Sequence, residues 1–450
     1  MNIISTYSVK IKDHNQIFRE TVRIYRSAVS FFIDVGLKEW DAFKDVASNQ
    51  NAYVRQMEVM PIPTAGRETV KHDFTERFPG MPNYLRRAAI AEAIGRISSH
   101  ESNLMNWKNS DPQTRGEKPS EPKAGHCYPV LYRDRMFDRT GDYSARIKIY
   151  RNETWSWIEV GLRKADVDYV RRNCSEMKEC APTLMKRGKE WFLDFPFQQS
   201  VKLSDVKIRD QVILAVSLGV KNPCTCTVMD SGGRILGREF LKLSEEQDEL
   251  RHRLGKIKKA RRCGSKGNRR LWAYARAVND DMALKTTKFI IDKAILYDVD
   301  CIVFEHLSLD GPKPGPVGES LNVWKARTIQ KQAEHQAHAN GIRVSHVNAW
   351  GTALLAYDGS GETIRGDKAG LGSRSLCRFT GGKTYNVSLN ASMNVGARYF
   401  VREILKTLPA RERQRIEVKI PECAKRSTCT LATLISLNGE LGFADPGPAV

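Results

Sequence analysis

A single carboxylate closes the apolar run Ile302-Val303-Phe304-Glu305-His306-Leu307. A buried strand of that kind delivers Glu305 to a sheet edge, and a carboxylate so placed is the group that phosphoryl-transfer chemistry uses to hold a divalent metal ion. Upstream lies a dense run of cations: Arg251, Arg253, Lys256, Lys258, Lys259, Arg261, Arg262, Lys266, Arg269 and Arg270, with no acidic residue among them. Surface helices usually intersperse Glu to limit self-repulsion. An uncompensated run is costly unless it meets an anion, and nucleic acid supplies the anion in repeating form.

Alternating strands and helices must position these groups. The stretch Leu214-Ala215-Val216-Ser217-Leu218-Gly219-Val220-Lys221-Asn222 reads as an apolar strand ending in a glycine that lets the backbone approach something closely. The segment Cys226–Met229 and the turn Asp230-Ser231-Gly232-Gly233 continue it as a hairpin. This is the usual opening of a ribonuclease-H-like sheet. The first strand of that fold normally carries an Asp in its middle for catalytic magnesium; here the residue is Ser217. The long basic stretch is expected to be a helix, followed by another over 271–297, the strand Cys301–Phe304, and a Pro/Gly-rich loop over 311–318. A helix to Asn340, a strand over Ile342–Val347 and a last helix from near Asn390 to Leu408 complete the pattern. Beyond Pro409 the sequence gives no clear element.

The first half is organised differently. Ile3 to Lys12 alternates as a strand, and Val22, Tyr25, Val29 and Phe32 share one helical face. A second helix is expected from Tyr84 to Trp107, with Ile90, Ile94 and Ile97 on one side and Arg86, Arg87 and Arg96 beside them. Those arginines read equally as phosphate contacts or as a solvated face. After a polar loop over 109–125, residues 128–197 turn to strands. Ala145, Ile147 and Ile149 alternate with Arg146, Lys148 and Tyr150, and Trp155 and Trp157 share a face of the next strand. Cations that meet phosphates beside rings that stack on bases suit single-stranded nucleic acid, although ordinary sheets also carry such faces.

The 450 residues suffice for two or three domains, and 72 Lys+Arg against 52 Asp+Glu give a formal charge of +20, which favours a polyanionic partner. No apolar run approaches the ~18 residues of a spanning helix, and Met1–Thr6 lacks the blocks of a signal peptide. No membrane partner is expected. Ten scattered Cys read as reduced thiols, so the expected location is the bacterial cytoplasm, with the nucleoid.

With Leu214–Asn222 and Ile302–Leu307, the segment Ser388-Leu389-Asn390-Ala391-Ser392-Met393-Asn394-Val395-Gly396-Ala397-Arg398 makes the chain resemble the transposon-encoded TnpB nucleases and compact type V CRISPR effectors. The resemblance is specific from Leu214 to Phe400 and loose before it. It implies a multi-domain α/β protein: an N-terminal strand and helical recognition lobe over 1–125, a β-rich wedge over 126–205, an RNase H-like RuvC domain over 206–408 and a tail over 409–450. The family's acidic triad falls on Ser217, Glu305 and Ser388, so only the Glu is retained. Its zinc finger falls on the degenerate stretch 349–387, at Ala356, Asp358, Cys377 and Thr380; one thiol of four cannot hold a tetrahedral zinc. Two-metal hydrolysis needs carboxylates around ions about 4 Å apart, and a neutral serine is a poor ligand for magnesium. The resemblance therefore implies guide RNA and target double-stranded DNA as partners, with DNA held but not cut and transcription repressed. No cofactor is expected, Mg²⁺ entering only if the site is active, with Asp230 or Asp358 as conceivable substitute ligands. An RNA-guided endonuclease and a transposon-related DNA-binding protein that uses no RNA are the alternatives.

Overall fold

The computed structural model describes residues 1–12, 16–44, 50–112, 115–220, 222–265, 267–307 and 325–443. The Pro/Gly-rich loop and Lys266 lie outside them. The chain divides into two compact units, Asn2–Gln199 and Ser200–Val450, the latter including Met1.

In the first unit β1 (Asn2–Lys10) leads into α1 (Arg19–Lys38), three short helices, α2 (Asp41–Lys44), α3 (Gln50–Val59) and α4 (Phe74–Arg77), and the long α5 (Asn83–Asn109). Val22, Tyr25, Val29 and Phe32 of α1 and Ile90, Ile94 and Ile97 of α5 are all buried, as their helical spacing requires. Next come the meander β2 (Phe137–Gly141), β3 (Ser144–Arg151) and β4 (Thr154–Gly161), then α6 (Lys164–Cys174), β5 (Lys178–Glu179), β6 (Thr183–Arg187) and β7 (Glu190–Ser200). The strand β1 joins β7, so the helices are an insertion between sheet neighbours. One hydrophobic core contains both α1 and α5 and the inner faces of β3 and β7. The Thr21 hydroxyl of α1 also accepts from the Tyr150 amide of β3, at 2.9 Å. Helical and strand-rich parts of this unit are thus one packing unit.

The second unit is built on β8 (Val212–Leu218), β9 (Cys224–Asp230), β10 (Ile235–Leu241), β11 (Cys301–His306) and β12 (Arg343–Asn348), in the order β10-β9-β8-β11-β12. The first three are antiparallel neighbours, while β11 runs parallel to both β8 and β12. This is the ribonuclease-H-like arrangement. The central strand β8 is apolar except for Ser217 because both of its faces are covered. Two helices, α7 (Ser244–Arg262) and α8 (Arg269–Leu296), form a hairpin, and α8 and α9 (Ala326–Ala339) cover one face. The other face takes α10 (Val387–Thr407). At Gly396 a Cβ would meet Met229 Sδ at 2.5 Å, so only glycine lets α10 lie this close to the sheet.

Two expectations are corrected. The basic run is not one helix: α7 stops at Arg262, and Arg269 and Arg270 open α8. Nor is α10 the last helix, since α11 (Ala410–Lys419) and α12 (Leu431–Glu440) follow it. Thr430 and Thr433 cap α12, and its Leu431, Leu434 and Leu437 complete the core beneath α10. The residues after Pro409 that read as a featureless tail are therefore partly core.

Candidate functional site

Because β8 and β11 are parallel, their ends coincide: Phe304 pairs with Val216, which places Glu305 beside Ser217. Ser217 lies opposite Thr225 on β9 and is 7% exposed. Ser388 is the second residue of α10, whose start is capped by Asn386 accepting from the Ser388 and Leu389 amides. Asn222, in the turn after β8, donates to Ser388 Oγ at 3.4 Å. Gly219 serves that turn; a Cβ there would sit 3.0 Å from the Asn222 carbonyl oxygen. The three positions selected from sequence therefore gather at one end of the sheet.

What surrounds Glu305 was not foreseen. Its Oε1 accepts from Thr352 Oγ1 at 2.5 Å, and its backbone oxygen accepts from Gln330 Nε2 at 2.8 Å. Burial raises the Glu305 pKa, partly offset by the Thr352 hydrogen bond and by attraction to Arg398. Arg398 is itself buried, and desolvation pushes its pKa down to about 10. Its guanidinium donates to the carbonyls of Cys429 (3.0 Å), Asn348 (2.8 Å) and Trp350 (2.7 Å). Asn390 and Asn394 donate to the carbonyls of Thr352 and Leu355, and also accept from the amides of Tyr357 and Leu431. Asn390, Asn394 and Arg398 thus pin the segment after β12 across the sheet end. Their spacing of four residues, a polar stripe on an otherwise apolar helix, was the sequence signal that could have revealed them.

This donor set does not fit a pair of divalent ions. Among the described residues one carboxylate faces the site; it is engaged by Thr352 and lies in the field of a guanidinium, while the other two positions are neutral hydroxyls. Asp230 cannot substitute: it pairs with Val212 at the opposite end of β8 and accepts from the Arg234 amide in its own turn. Asp358 accepts from the Ser360 amide in another turn.

The stretch expected to be a degenerate zinc finger is a small sheet of β13 (Ile364–Arg365), β14 (Leu376–Arg378) and β15 (Thr384–Asn386). Ala356, Cys377 and Phe379 form its buried core. Tyr357 lies edge-on to Phe379 and tilted against Tyr385, with their centroids 5.6 and 5.1 Å apart. Lys383 donates to the Tyr357 hydroxyl at 2.8 Å and lies over both tyrosine rings. Cys377 donates weakly to the Tyr385 carbonyl. A lone thiol among aromatic side chains does not fit zinc.

Several of the cations make contacts within the fold. Arg251 and Arg253 pair with Asp248 and Glu249 on the preceding turn of α7, at 2.8 and 2.6 Å, so the basic run is compensated at its start. Arg261 lies over Trp272, and Arg270 donates to the Tyr274 hydroxyl, joining the two arms of the hairpin and its second helix. Lys256, Lys258, Lys259, Arg262 and Arg269 are exposed along it. In the first unit Arg86 and Arg87 both reach Glu58, at 3.6 and 2.9 Å, which commits them within the fold. On β3 and β4, Lys148 pairs with Trp157 and Tyr150 with Trp155, while Arg146 lies over Trp157. That face is basic and aromatic at Lys148, Tyr150, Trp155 and Trp157, while Arg146 pairs with Asp138 at 2.7 Å and stands opposite Glu159; its reverse, Ala145, Ile147 and Ile149, is buried.

Among known families, the Aq_aa04 family matches residues 5–151. The chain is 26% identical over 236 residues to TnpB-like protein aq_aa05 of Aquifex aeolicus (strain VF5), covering 47% of this chain and 74% of that protein. It is also 26% identical over 147 residues to uncharacterized protein aq_aa04 of the same organism, covering 29% of this chain and 81% of that one. Of solved structures, Cas12f1 in complex with guide RNA and target DNA aligns with a TM-score of 0.48 at 13% identity, covering 87% of this chain and 99% of that chain. Alicyclobacillus acidoterrestris C2c1 with single-guide RNA aligns with a TM-score of 0.41 at 10% identity, covering 86% and 70%.

Proposed function

From the chain's similarity to a TnpB-like protein and the motifs around Ser217, Glu305 and Ser388, we propose that it binds a guide RNA and holds matched double-stranded DNA without cutting it. In that division of labour base pairing reads the target, while the protein contributes a basic surface and reads a short flanking motif. The exposed cations of the α7–α8 hairpin and the basic-aromatic face of β3 and β4 are the surfaces suited to phosphates and bases. Bound at a promoter, such a complex represses transcription; its place is the bacterial cytoplasm, with the nucleoid. The observation that carries the non-cleaving reading is the sheet end itself. Ser217 and Ser388 stand where metal ligands are needed, and Glu305 is enclosed by Thr352 and Arg398. Neither Mg²⁺ nor zinc has a role in this reading.

Sequencing the nucleic acid that co-purifies with the full chain tests it. A discrete structured RNA is expected, and its absence favours the RNA-independent DNA-binding alternative. The loaded protein should shift guide-matched DNA on a gel and leave it intact in Mg²⁺ and Mn²⁺; cleavage would restore the endonuclease reading. Replacing Lys258, Lys259, Arg261 and Arg262 with Glu should weaken RNA binding across sequences and flatten its salt dependence, since each neutralised phosphate contributes about one unit of log–log slope.

A further inference from the structure

At the end of the sheet away from Glu305, the strands of the second unit begin beside a cavity of about 560 Å³. Lys207, Arg209, Arg343 and Lys406 line it, with Glu403 the one acid among its lining residues. Glu403 is already paired with Arg402 at 2.7 Å and Lys406 at 2.9 Å. None of Lys207, Arg209 and Arg343 takes part in an ion pair among the described residues. Arg209 is partly desolvated, which lowers its pKa, and no carboxylate offsets that. It is held by a hydrogen bond to Asn438 Oδ1 at 2.8 Å and by the Phe443 ring 3.5 Å beneath it. The buried pair Tyr399 and Gln211 is internally satisfied: the tyrosine hydroxyl donates to Gln211 Oε1, and Gln211 Nε2 donates to the Val206 carbonyl. These groups bring no negative charge.

We infer that this cavity binds a phosphate monoester, either free or as the terminal phosphate of a nucleic-acid strand. Lys207 and Arg343, left without carboxylates beside the Lys406–Glu403 pair, match a compact dianion, and the Arg343 guanidinium fork suits phosphate oxygens. An internal phosphodiester brings one charge and is flanked by sugars on both sides, so it suits an open groove better than a recess. The site is also separate from the retained carboxylate. Arg343 opens β12 in register with Cys301 at the start of β11, and Glu305 lies four residues further along, about 13 Å at ~3.3 Å per residue.

The test uses the full chain stripped of nucleic acid, with inorganic phosphate titrated calorimetrically at constant ionic strength. A short oligonucleotide with a 5′-phosphate is then compared with its 5′-hydroxyl form. Saturable phosphate binding is expected, weakened at least tenfold in Lys207→Gln/Arg343→Gln. The variant Lys207→Gln/Lys406→Gln, which alters only exposed side chains, should weaken it as well. The Glu variant of the α7 cations should leave phosphate affinity unchanged, so failure here is distinguishable from failure of guide binding. Preference for the 5′-phosphorylated oligonucleotide assigns a strand end as the source; phosphate binding without that preference assigns the free anion. Absence of saturable phosphate binding, or equal affinity in the wild type and both Gln variants, overturns the inference.

Discussion

The two ends of one five-stranded sheet treat charge in opposite ways. At the Glu305 end, one carboxylate is buried and answered by the protein itself, through the Thr352 hydroxyl and the field of Arg398. At the Arg343 end, cations gather around a cavity where the one acid among the described lining residues is already paired. At the first end the protein supplies the partners of its own charge, whereas at the second Lys207 and Arg343 have no carboxylate among the described residues. Thr352 and Arg398 offset part of the cost of burying Glu305, and desolvation still raises its pKa.

The sharpest way to break this comparison is to give the Glu305 end its carboxylates back. Ser217→Asp with Ser388→Asp restores three acids at adjoining elements, the minimum for a two-metal arrangement. Cleavage of guide-matched DNA in Mg²⁺ or Mn²⁺ should rise by orders of magnitude in the double variant and little in either single one, because ligands of one cluster act as a unit. Adding Thr352→Val frees the Glu305 carboxylate and should raise the rate further. If the double and triple variants are both silent on gel assays with intact guide binding, more than two ligands separate this site from a working one.

Stability separates the two ends next. Arg398→Met leaves Glu305 without its counter-charge and the carbonyls of Asn348, Trp350 and Cys429 without their donor. Each buried carbonyl left without its donor costs about 1–3 kcal/mol, readable in urea denaturation. Lys207→Gln, at the exposed rim of the other end, should change stability by no more than about 0.5 kcal/mol. Equal losses from both substitutions would erase the distinction.

Much of this architecture was legible in advance, for identifiable reasons. A strand buried on both faces, such as β8, is apolar along most of its length (Ser217 excepted), and β3 must alternate because one face is open; both patterns stand in the sequence. The convergence of Ser217, Glu305 and Ser388 was legible through the motifs around them. The contacts of Thr352 and Arg398 were not, because they depend on how the segment after β12 folds back. Arg251 and Arg86 misled for a related reason: a cation's partner sits one helical turn away in the first case and on another helix in the second. The residues after Pro409 hid α12 because its apolar stripe is short and acquires meaning only against α10.

The smallest expected effect is a pH dependence, and it bears on whether the Glu305 end is satisfied or merely tolerated. Burial raises the Glu305 pKa above that of an unfolded glutamate, despite Thr352 and Arg398. Between the unfolded and folded values the native state therefore holds more protons than the unfolded one, so stability falls as pH rises through that interval. Whatever Glu305 contributes when protonated is fully present below the ordinary glutamate pKa and lost above the raised one. Each tenfold difference in proton affinity between the two states is worth about 1.4 kcal/mol. Glu305→Gln keeps an oxygen for the Thr352 hydroxyl and removes the titration. Measured against the wild type by urea denaturation from pH 4 to 8, the variant should gain relative stability with rising pH and level off once the wild-type carboxylate is ionised. A relative loss over the same range would mean that Arg398 outweighs desolvation and that the carboxylate is held ionised. The Glu305 end would then hold an ionised carboxylate in the field of Arg398, and the contrast with Lys207 and Arg343 across the sheet would be sharper still.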